Sequence, residues 1–278
     1  FGVEAWQEGG RRGWRGRMAD FSLAEVDPRL DPHGLDRSAR FLTAASAFAL
    51  RDAGIRLTRR DRESAGLVFG SLRPSPESVK SFGESVEEHG LSGASAPAFA
   101  RIVLNAPAGF CAKLLSIQGP LTAVTVGSGS GLAAILVAAE QLRRRPDVAI
   151  MLGAAVDELA DDEDEGDASG EGSACAVLSR EETRAATDGP VLAAWALAGP
   201  GRLDDAVERA LAEAEGGDGV DAIFEERTYG GGGAEDRALP SALAFVAACA
   251  ALRTGEVSRA LVTSASGDAT TMAALLHA

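Results

Sequence analysis

The stretch 124-VTVGSGSGLAAILVAAE-140 has the pattern of a buried strand, a sharp glycine turn and an Ala-rich helix. In α/β proteins this arrangement presents a nucleophile or a phosphate group at the N-terminus of the helix. The turn, residues 127–131, contains only glycine and serine, so it supplies no thiol, amine, imidazole or carboxylate. It is therefore an active site, a cofactor loop or the remnant of one.

Two short motifs that such a turn brings to mind do not fit. A dinucleotide-binding loop needs Gly-x-Gly-x-x-Gly, and the third glycine position here is Leu132. A hydrolase elbow needs Gly-x-Ser-x-Gly, and neither Ser128 nor Ser130 has glycine two residues away on both sides. Neither motif defines the function.

The charge of the chain argues against two classes of partner. The 278 residues carry a formal net charge of −14, whereas nucleic acids and anionic membrane surfaces select for Lys and Arg. Part of this charge lies in the acidic run 157-DELADDEDEGD-167. The run lacks the ligand spacing of a calcium loop, so it predicts a solvated loop and no metal site.

Cysteines and histidines give no sign of a metal or a disulfide. Cys111, Cys175 and Cys249 stand in apolar surroundings without CxxC spacing, which predicts small core residues in a reducing compartment. No two of the three histidines have metal-ligand spacing, and we expect no cofactor. Without a signal-peptide pattern or an apolar run of spanning length, the expectation is a soluble, cytoplasmic protein with no membrane partner.

Helix and strand patterns alternate along the chain. A helix is predicted over 35–54 with Asp36 or Ser38 at its N-cap, and another over 75–90 beginning at Ser75-Pro76. Further helices are predicted over 98–117, interrupted by Pro107, and over 131–144. Strands are predicted over 66–70, 121–126 and 147–155.

The second half of the sequence repeats part of the first. The segments 132-LAAILVAAEQLRRRPDVAIMLGA and 243-LAFVAACAALRTGEVSRALVTSA share a helix, a short turn and an apolar strand in the same order. This similarity predicts a duplicated α/β unit, with a break near 180–190 and mixed sheets covered by helices.

The longer stretch 104–158 resembles the β-ketoacyl synthases of the thiolase superfamily. Motifs of that family stand in the same order here, as Asn105, Gly109, Gly119-Pro120, Ser130-Gly131 and 147-DVA-149. Two later segments, 170-GEGSACAVLSRE-181 and 219-GVDAIFEERTYGGGG-233, continue the similarity. The resemblance implies a thiolase-like α/β fold in αβαβα layers, with residues 1–185 as one half and residues 186–278 as a shortened second half.

The resemblance also implies where the catalytic groups belong, namely a cysteine at the helix N-terminus and two histidines. Ser128 stands at the cysteine position and Glu226 at the first histidine, and the second is expected where the chain reads 234-AEDRALPS-241. A helix dipole contributes at most about 2 kcal/mol, too little to ionise a serine hydroxyl, so without a neighbouring base Ser128 is expected to be inert. The chain is therefore expected not to condense acyl groups by itself.

Non-catalytic members of this family are the chain length factors of type II polyketide synthases. The resemblance implies a heterodimer with an active ketosynthase and, through that complex, contact with an acyl carrier protein. Ser128, where aromatic-polyketide versions usually carry Gln, suggests a divergent branch making reduced or polyene chains. Two alternatives remain open: a serine-dependent malonyl decarboxylase or acyltransferase, and a purely structural stabiliser of a ketosynthase.

The resemblance also suggests the surfaces involved. The segment 121–126 and the interrupted helix before it are expected at the dimer contact, and helix 76–89 is expected to approach the acyl pocket of the partner. The candidate pocket residues are Phe82, Val86, Ala98, Phe99, Ile102 and Val103, for each of which ordinary core packing is the alternative.

Overall fold

The computed structural model describes residues 2–8, 11–31, 33–73, 75–159, 168–180, 189–214, 219–230, 237–265 and 270–278. The helices are α1 Leu23–Val26, α2 Arg37–Asp52, α3 Pro76–His89, α4 Ala96–Ile102, α5 Ala106–Leu115, α6 Ser130–Arg144, α7 Leu203–Glu213, α8 Arg227–Gly230 and α9 Leu239–Thr254. The strands are β1 Gly2–Glu8, β2 Arg11–Arg17, β3 Ala65–Gly70, β4 Leu121–Val124, β5 Ile150–Asp157, β6 Ala168–Gly170, β7 Gly172–Ser179, β8 Val191–Ala198, β9 Ala222–Glu225, β10 Arg259–Ser264 and β11 Thr271–His277.

Two four-stranded mixed sheets form the centre of the molecule. The first has the order β4-β3-β5-β7, with β4, β3 and β5 parallel and β7 antiparallel to β5. The second has the order β8-β11-β10-β9, with β9 parallel to β10 and the other two pairs antiparallel. Strands β1, β2 and β6 form a separate small sheet.

Helices lie between the two sheets and on both outer faces. Helices α6 and α9 share one apolar core with the facing sides of both sheets. Helices α2 and α5 cover the other face of the first sheet, and α7 covers the other face of the second. The order of layers is therefore αβαβα, which confirms the predicted fold class.

The duplicated unit is also confirmed. In the first half α6 leads to β5 and then to antiparallel β7, and in the second half α9 leads to β10 and then to antiparallel β11. The corresponding leucines, Leu142 and Leu252, are both buried at the ends of these helices. The predicted break at 180–190 and the boundary at 185/186 lie mostly outside the described residues.

Several helices begin where the capping residues and prolines of the sequence predict. Asp36 caps α2, since its carboxylate accepts a hydrogen bond from the Ala39 backbone N–H at 2.8 Å. Helix α3 begins at Pro76 as predicted, but the Ser75 hydroxyl donates to Asp36 Oδ2 at 2.6 Å and does not cap its own helix. The apolar segment 98–117 is two helices, α4 and α5, and Pro107 lies in the first turn of α5, where its missing N–H costs nothing.

Within the described ranges, we compared the length and apolar character of the helices with those of a membrane span. No single helix there is long and apolar enough to cross a bilayer. Helices α4 and α5 pass the length and composition test together, but they are bent by 94°.

The prediction that the acidic run is a solvated loop is wrong for its first three residues, 157–159. Asp157, Glu158 and Leu159 are buried, because they continue β5 into a region where several helices begin. Asp157 accepts hydrogen bonds from the backbone N–H groups of Ala238 and Leu239 at the start of α9. The rest of the run, 160–167, lies outside the described residues.

Candidate functional site

The glycine turn joins β4 to α6 in a tight elbow. Gly127 has φ of +75°, a left-handed conformation that strongly favours glycine. The Ser130 hydroxyl closes the turn by accepting from the Val126 N–H at 2.9 Å and donating to the Gly127 carbonyl at 2.5 Å. The geometry therefore matches the strand, turn and helix predicted from the sequence.

The elbow is held against the second half of the molecule. A methyl group on Gly129 would lie 2.3 Å from Met272 Cε, and one on Gly131 would lie 2.3 Å from the Ala238 carbonyl oxygen. Such distances are well inside van der Waals contact, so Gly131, which meets backbone, needs glycine for close packing, and a side chain at Gly129 would have to displace Met272. The glycines thus bring the start of α6 against α9 and β11.

Ser128 is enclosed in a small polar cluster between the sheets. Its side chain is 1% exposed, and its hydroxyl donates to Glu226 Oε1 at 3.0 Å. The other carboxylate oxygen, Oε2, accepts from the Ser264 hydroxyl at 2.6 Å. The Ser241 hydroxyl lies 3.0 Å from the Ser128 carbonyl oxygen and accepts from the Leu132 N–H. We call Ser128, Glu226 and Ser264 the Ser–Glu–Ser cluster.

The expectation that Ser128 has no base beside it is wrong. Glu226 follows β9 and Ser264 ends β10, and these parallel strands end at the same edge of the sheet. A backbone hydrogen bond from the Glu226 N–H to the Thr263 carbonyl fixes this juxtaposition at 3.1 Å. The sequence places Glu226 at a catalytic position by resemblance, but only the sheet shows that its carboxylate meets Ser128.

Chemically, the cluster offers a hydroxyl beside a carboxylate, which is the pairing of a nucleophile with a possible base. Two features oppose that use. Glu226 already accepts hydrogen bonds from two hydroxyls, and both the Glu226 and the Ser128 side chains are buried. In this arrangement an acyl group has no access to the Ser128 hydroxyl.

The three cysteines of the chain are not reactive thiols. All three are free, and burial raises the pKa of Cys111 to about 11 and those of Cys175 and Cys249 to about 12. Such thiols remain protonated and poorly nucleophilic near neutral pH. The prediction that they are small, free core residues is confirmed for fully buried Cys111, while the other two are partly buried.

The position expected for the second histidine falls partly outside the description. Residues 231–236 are not among the described residues, and α9 begins at Leu239, within the expected segment 234–241. The N–H groups at this start are taken by Asp157. Within the described ranges, no group of three His, Cys, Asp or Glu side chains is arranged to hold a metal.

The six predicted pocket residues lie together on a hairpin made by α3 and α4. The rings of Phe82 and Phe99 are 5.6 Å apart and tilted by 52°. Phe99 is 55% exposed and Val103 is 42% exposed, whereas Ala98 is buried and Phe82, Val86 and Ile102 are partly buried. Phe99 and Val103 therefore are not ordinary core residues of this chain.

A second buried polar cluster was not predicted from the sequence. Glu158 accepts from the Ser38 N–H at 2.9 Å and from the Ser38 hydroxyl at 2.5 Å, and its other oxygen accepts from the Glu77 N–H at 3.3 Å. Burial raises the pKa of Glu158 to about 7, with Asp36 adding to the rise and the Ser38 hydroxyl opposing it. The sequence feature that could have indicated this cluster is the position of these acids directly after a buried strand.

Two cavities lie away from the Ser–Glu–Ser cluster. One, of about 650 Å³, lies between α6 and β8 and is lined by Trp195, Glu140 and Arg143 among others. The other, of about 550 Å³, lies among α1, α2 and α5. Neither is lined by Ser128 or by the six predicted pocket residues.

Comparison with protein families identifies the class. The family described as β-ketoacyl synthase, N-terminal domain, matches residues 19–161. The chain therefore belongs to the β-ketoacyl synthase family. A comparison with curated proteins found no match by sequence.

Solved structures show the same fold at low sequence identity. A β-ketoacyl synthase from Burkholderia phymatum STM815 superposes with a TM-score of 0.79 at 14% identity, covering 96% of this chain and 88% of that chain. The ishigamide ketosynthase/chain length factor gives 0.79 at 15% identity, covering 96% and 87%. The AntDE:AntF complex, a type II polyketide synthase acyl-carrier protein with its ketosynthase bound to the hexaketide, gives 0.76 at 15%, covering 95% and 88%.

Proposed function

We propose that this chain is a non-catalytic chain length factor of a type II polyketide synthase, which pairs with an active ketosynthase and shapes its acyl pocket. The observation that carries the proposal is the state of the elbow. Where the family presents a reactive thiolate, this chain has a buried serine hydroxyl that donates to a carboxylate. The strand, turn and helix remain as a scaffold.

Electrostatics support the same conclusion. Decarboxylative condensation develops negative charge on an enolate, which a catalytic site stabilises with hydrogen-bond donors or positive groups. Glu226 places a carboxylate at the position where the resemblance expects a histidine. An ionised Glu226 would oppose the developing charge.

The surface expected at the dimer contact has the properties of a protein interface. Within the described part of the first sheet, β4 pairs with β3 on one side and forms an edge on the other. Leu121 on β4 is exposed, and further exposed apolar side chains lie on or next to α3 and α4, namely Val79, Leu91, Phe99 and Val103. An unpaired strand edge and exposed apolar side chains each favour a protein partner.

The α3–α4 hairpin would then supply the wall that limits the acyl chain. Phe82 and Phe99 pack together, and Phe99 remains exposed on the free chain, so it is available to a partner. An apolar wall limits chain length by excluding volume, because overpacking costs more than the roughly 0.8 kcal/mol gained for each buried CH₂. An acyl carrier protein would reach the pocket through the ketosynthase, and the product would be a reduced or polyene chain.

A second candidate function rests on the Ser128–Glu226 contact. The 3.0 Å hydrogen bond is within the range expected for a nucleophile and its general base, which fits a serine-dependent malonyl decarboxylase or acyltransferase. The burial of Ser128 weighs against it. A third reading is a structural stabiliser that contributes nothing to the acyl pocket.

Co-expression with a ketosynthase that retains Cys-His-His, encoded beside this chain, tests the proposal. We expect a stoichiometric complex and polyketide formation that depends on this chain. Ser128→Ala should leave that activity intact, whereas loss of activity, or CO₂ release from malonyl carrier protein by this chain alone, would favour the serine enzyme. Failure to form a complex would contradict the chain length factor and the stabiliser alike.

A further inference from the structure

The cavity among α1, α2 and α5 has an apolar floor and a basic rim. Leu30 and Leu50 are buried at its base, and Leu115 lies partly buried beside them. Four arginines line it against a single carboxylate, Asp27. The lining of this cavity is therefore net positive, whereas the whole chain has a net charge of −14.

The carboxylate that lines the cavity neutralises one of its four arginines, Arg29. Asp27 accepts hydrogen bonds from the Arg29 guanidinium and backbone N–H. Asp61 accepts from the Thr58 N–H, and Asp52 forms an ion pair with Arg253. Three further arginines that line the cavity, Arg51, Arg56 and Arg62, therefore outnumber the carboxylates of its lining.

Arg62 carries the most specific signal. Its Nε is shielded from solvent and has no hydrogen-bond partner among the described residues. Its backbone is fixed, because its carbonyl accepts from the Gln118 N–H at 2.7 Å. Buried donors are almost always satisfied in native proteins, and an unsatisfied one is costly. Because Arg62 also lines the cavity, a small movement of its side chain toward an acceptor bound there would be favourable.

We propose that this cavity binds an amphipathic acid, with a carboxylate or phosphate headgroup on Arg62 and Arg56 and a short apolar tail on the leucine floor. A guanidinium fork matches either headgroup, and a cavity of about 550 Å³ is in the size range of small-molecule sites. The proposal does not depend on the chain length factor function, because none of the lining residues belongs to the Ser–Glu–Ser cluster or to the α3–α4 hairpin.

Calorimetric titration of the full chain with four ten-carbon probes and one inorganic ion tests this. Decanoate and decyl phosphate should bind at one site per chain, and the tighter of the two identifies the headgroup. Decanol and decylamine should bind at least about tenfold more weakly, because they offer no anion to the guanidinium groups. Equal binding of decanol, or saturation by inorganic phosphate with the same affinity as decyl phosphate, would overturn the proposal.

Variants locate the site. Arg62→Met keeps an unbranched apolar stem but removes the guanidinium, and it should weaken binding of the preferred acid about tenfold or more. Arg143→Met, at the rim of the other cavity, is the matched control and should change nothing. If Arg62→Met fails to fold, as judged by circular dichroism, exposed Arg56→Met carries the test with a loss of about threefold or more. Unchanged affinity in the folded variant, or an equal loss in the control, contradicts the site.

Discussion

Glu158 shows how the fold alters the chemistry of a single residue. Its carboxyl lies at the end of β5, beside the beginnings of α2 and α3, and is almost completely buried. Desolvation disfavours the charged form and raises the pKa from its ordinary value near 4.5 to about 7. The folded protein therefore holds a proton here between pH 4.5 and 7 that the unfolded chain releases.

This shift makes stability depend on pH with a definite sign. Because the folded state binds more protons than the unfolded state in that window, the free energy of unfolding should fall as pH rises from about 4.5 to 7, by up to about 3 kcal/mol. Glu158→Gln cannot titrate, so urea unfolding at pH 5.5, 6.5 and 7.5 should show a flatter profile.

Burial also raises the pKa of Asp157, so any slope that this group contributes in the Glu158→Gln variant has the same sign. Glu140→Gln is the control, because arginine hydrogen bonds lower the pKa of Glu140 and its effect lies below this window. A profile in Glu158→Gln as steep as that of the unmodified chain would contradict the assignment.

At the scale of elements, the start of α9 depends on a residue distant in sequence. Ala238, at the N-cap of this helix, makes no side-chain capping hydrogen bond. Instead, Asp157 of β5 accepts from the N–H groups of Ala238 and Leu239 at 3.1 and 2.7 Å. One half of the molecule thus caps the central helix of the other.

Removal of this cap should destabilise the whole protein. In Asp157→Ala two buried N–H groups lose their acceptor, and we expect a loss of about 1–3 kcal/mol in the free energy of unfolding. Asp147→Ala, which removes an exposed ion pair with Arg145, should cost no more than about 1 kcal/mol. Equal effects in a denaturant titration would show that the cap contributes nothing.

The α3–α4 hairpin is the element on which chain length should depend. If Phe82 and Phe99 form the wall of the partner's pocket, Phe82→Ala and Phe99→Ala should each lengthen the polyketide made by the complex, because the truncated side chain leaves room for more carbons. Mass spectrometry of the products measures this. Phe48→Ala, at an exposed site on α2, should leave the product unchanged. Identical products from all three variants would favour the purely structural stabiliser.

At the scale of the whole molecule, each mixed sheet has an edge strand that carries an exposed leucine. Strand β4 is the edge of the first sheet and carries Leu121, which is 40% exposed. Strand β8 is an edge of the second sheet and carries Leu197, which is 45% exposed. The proposed heterodimer uses only the first of these.

A lysine introduced on each edge strand in turn tests which of the two edges contacts the ketosynthase. Leu121→Lys should abolish co-purification with the ketosynthase, because it would bury an unpaired ammonium group in the contact, while the circular dichroism of the chain stays unchanged. Leu197→Lys, of similar exposure, should co-purify normally. Loss of the complex in Leu197→Lys alone would place the contact on the second sheet.

Much of the fold could be predicted from local patterns. The elbow at 124–140, the Asp36 cap and the repeated helix–strand unit are set by short-range signals, and the structure confirms each. The prediction of a solvated acidic run is wrong at Asp157 and Glu158, because composition indicates only the average preference of residues for solvent. These two residues are buried by the beginnings of three helices, which come from separate parts of the chain.

The sequence by itself determined the family, through the order of its motifs, and the resemblance to that family predicted the layer order and a serine at the expected cysteine position. Tertiary structure alone decided that the Ser128 and Ser264 hydroxyls both donate to Glu226, and that Arg62, whose Nε is unsatisfied, lines a cavity. The physical reason is that contacts such as Ser128–Glu226 join residues up to 98 positions apart, and such pairings depend on how the sheets and helices pack together.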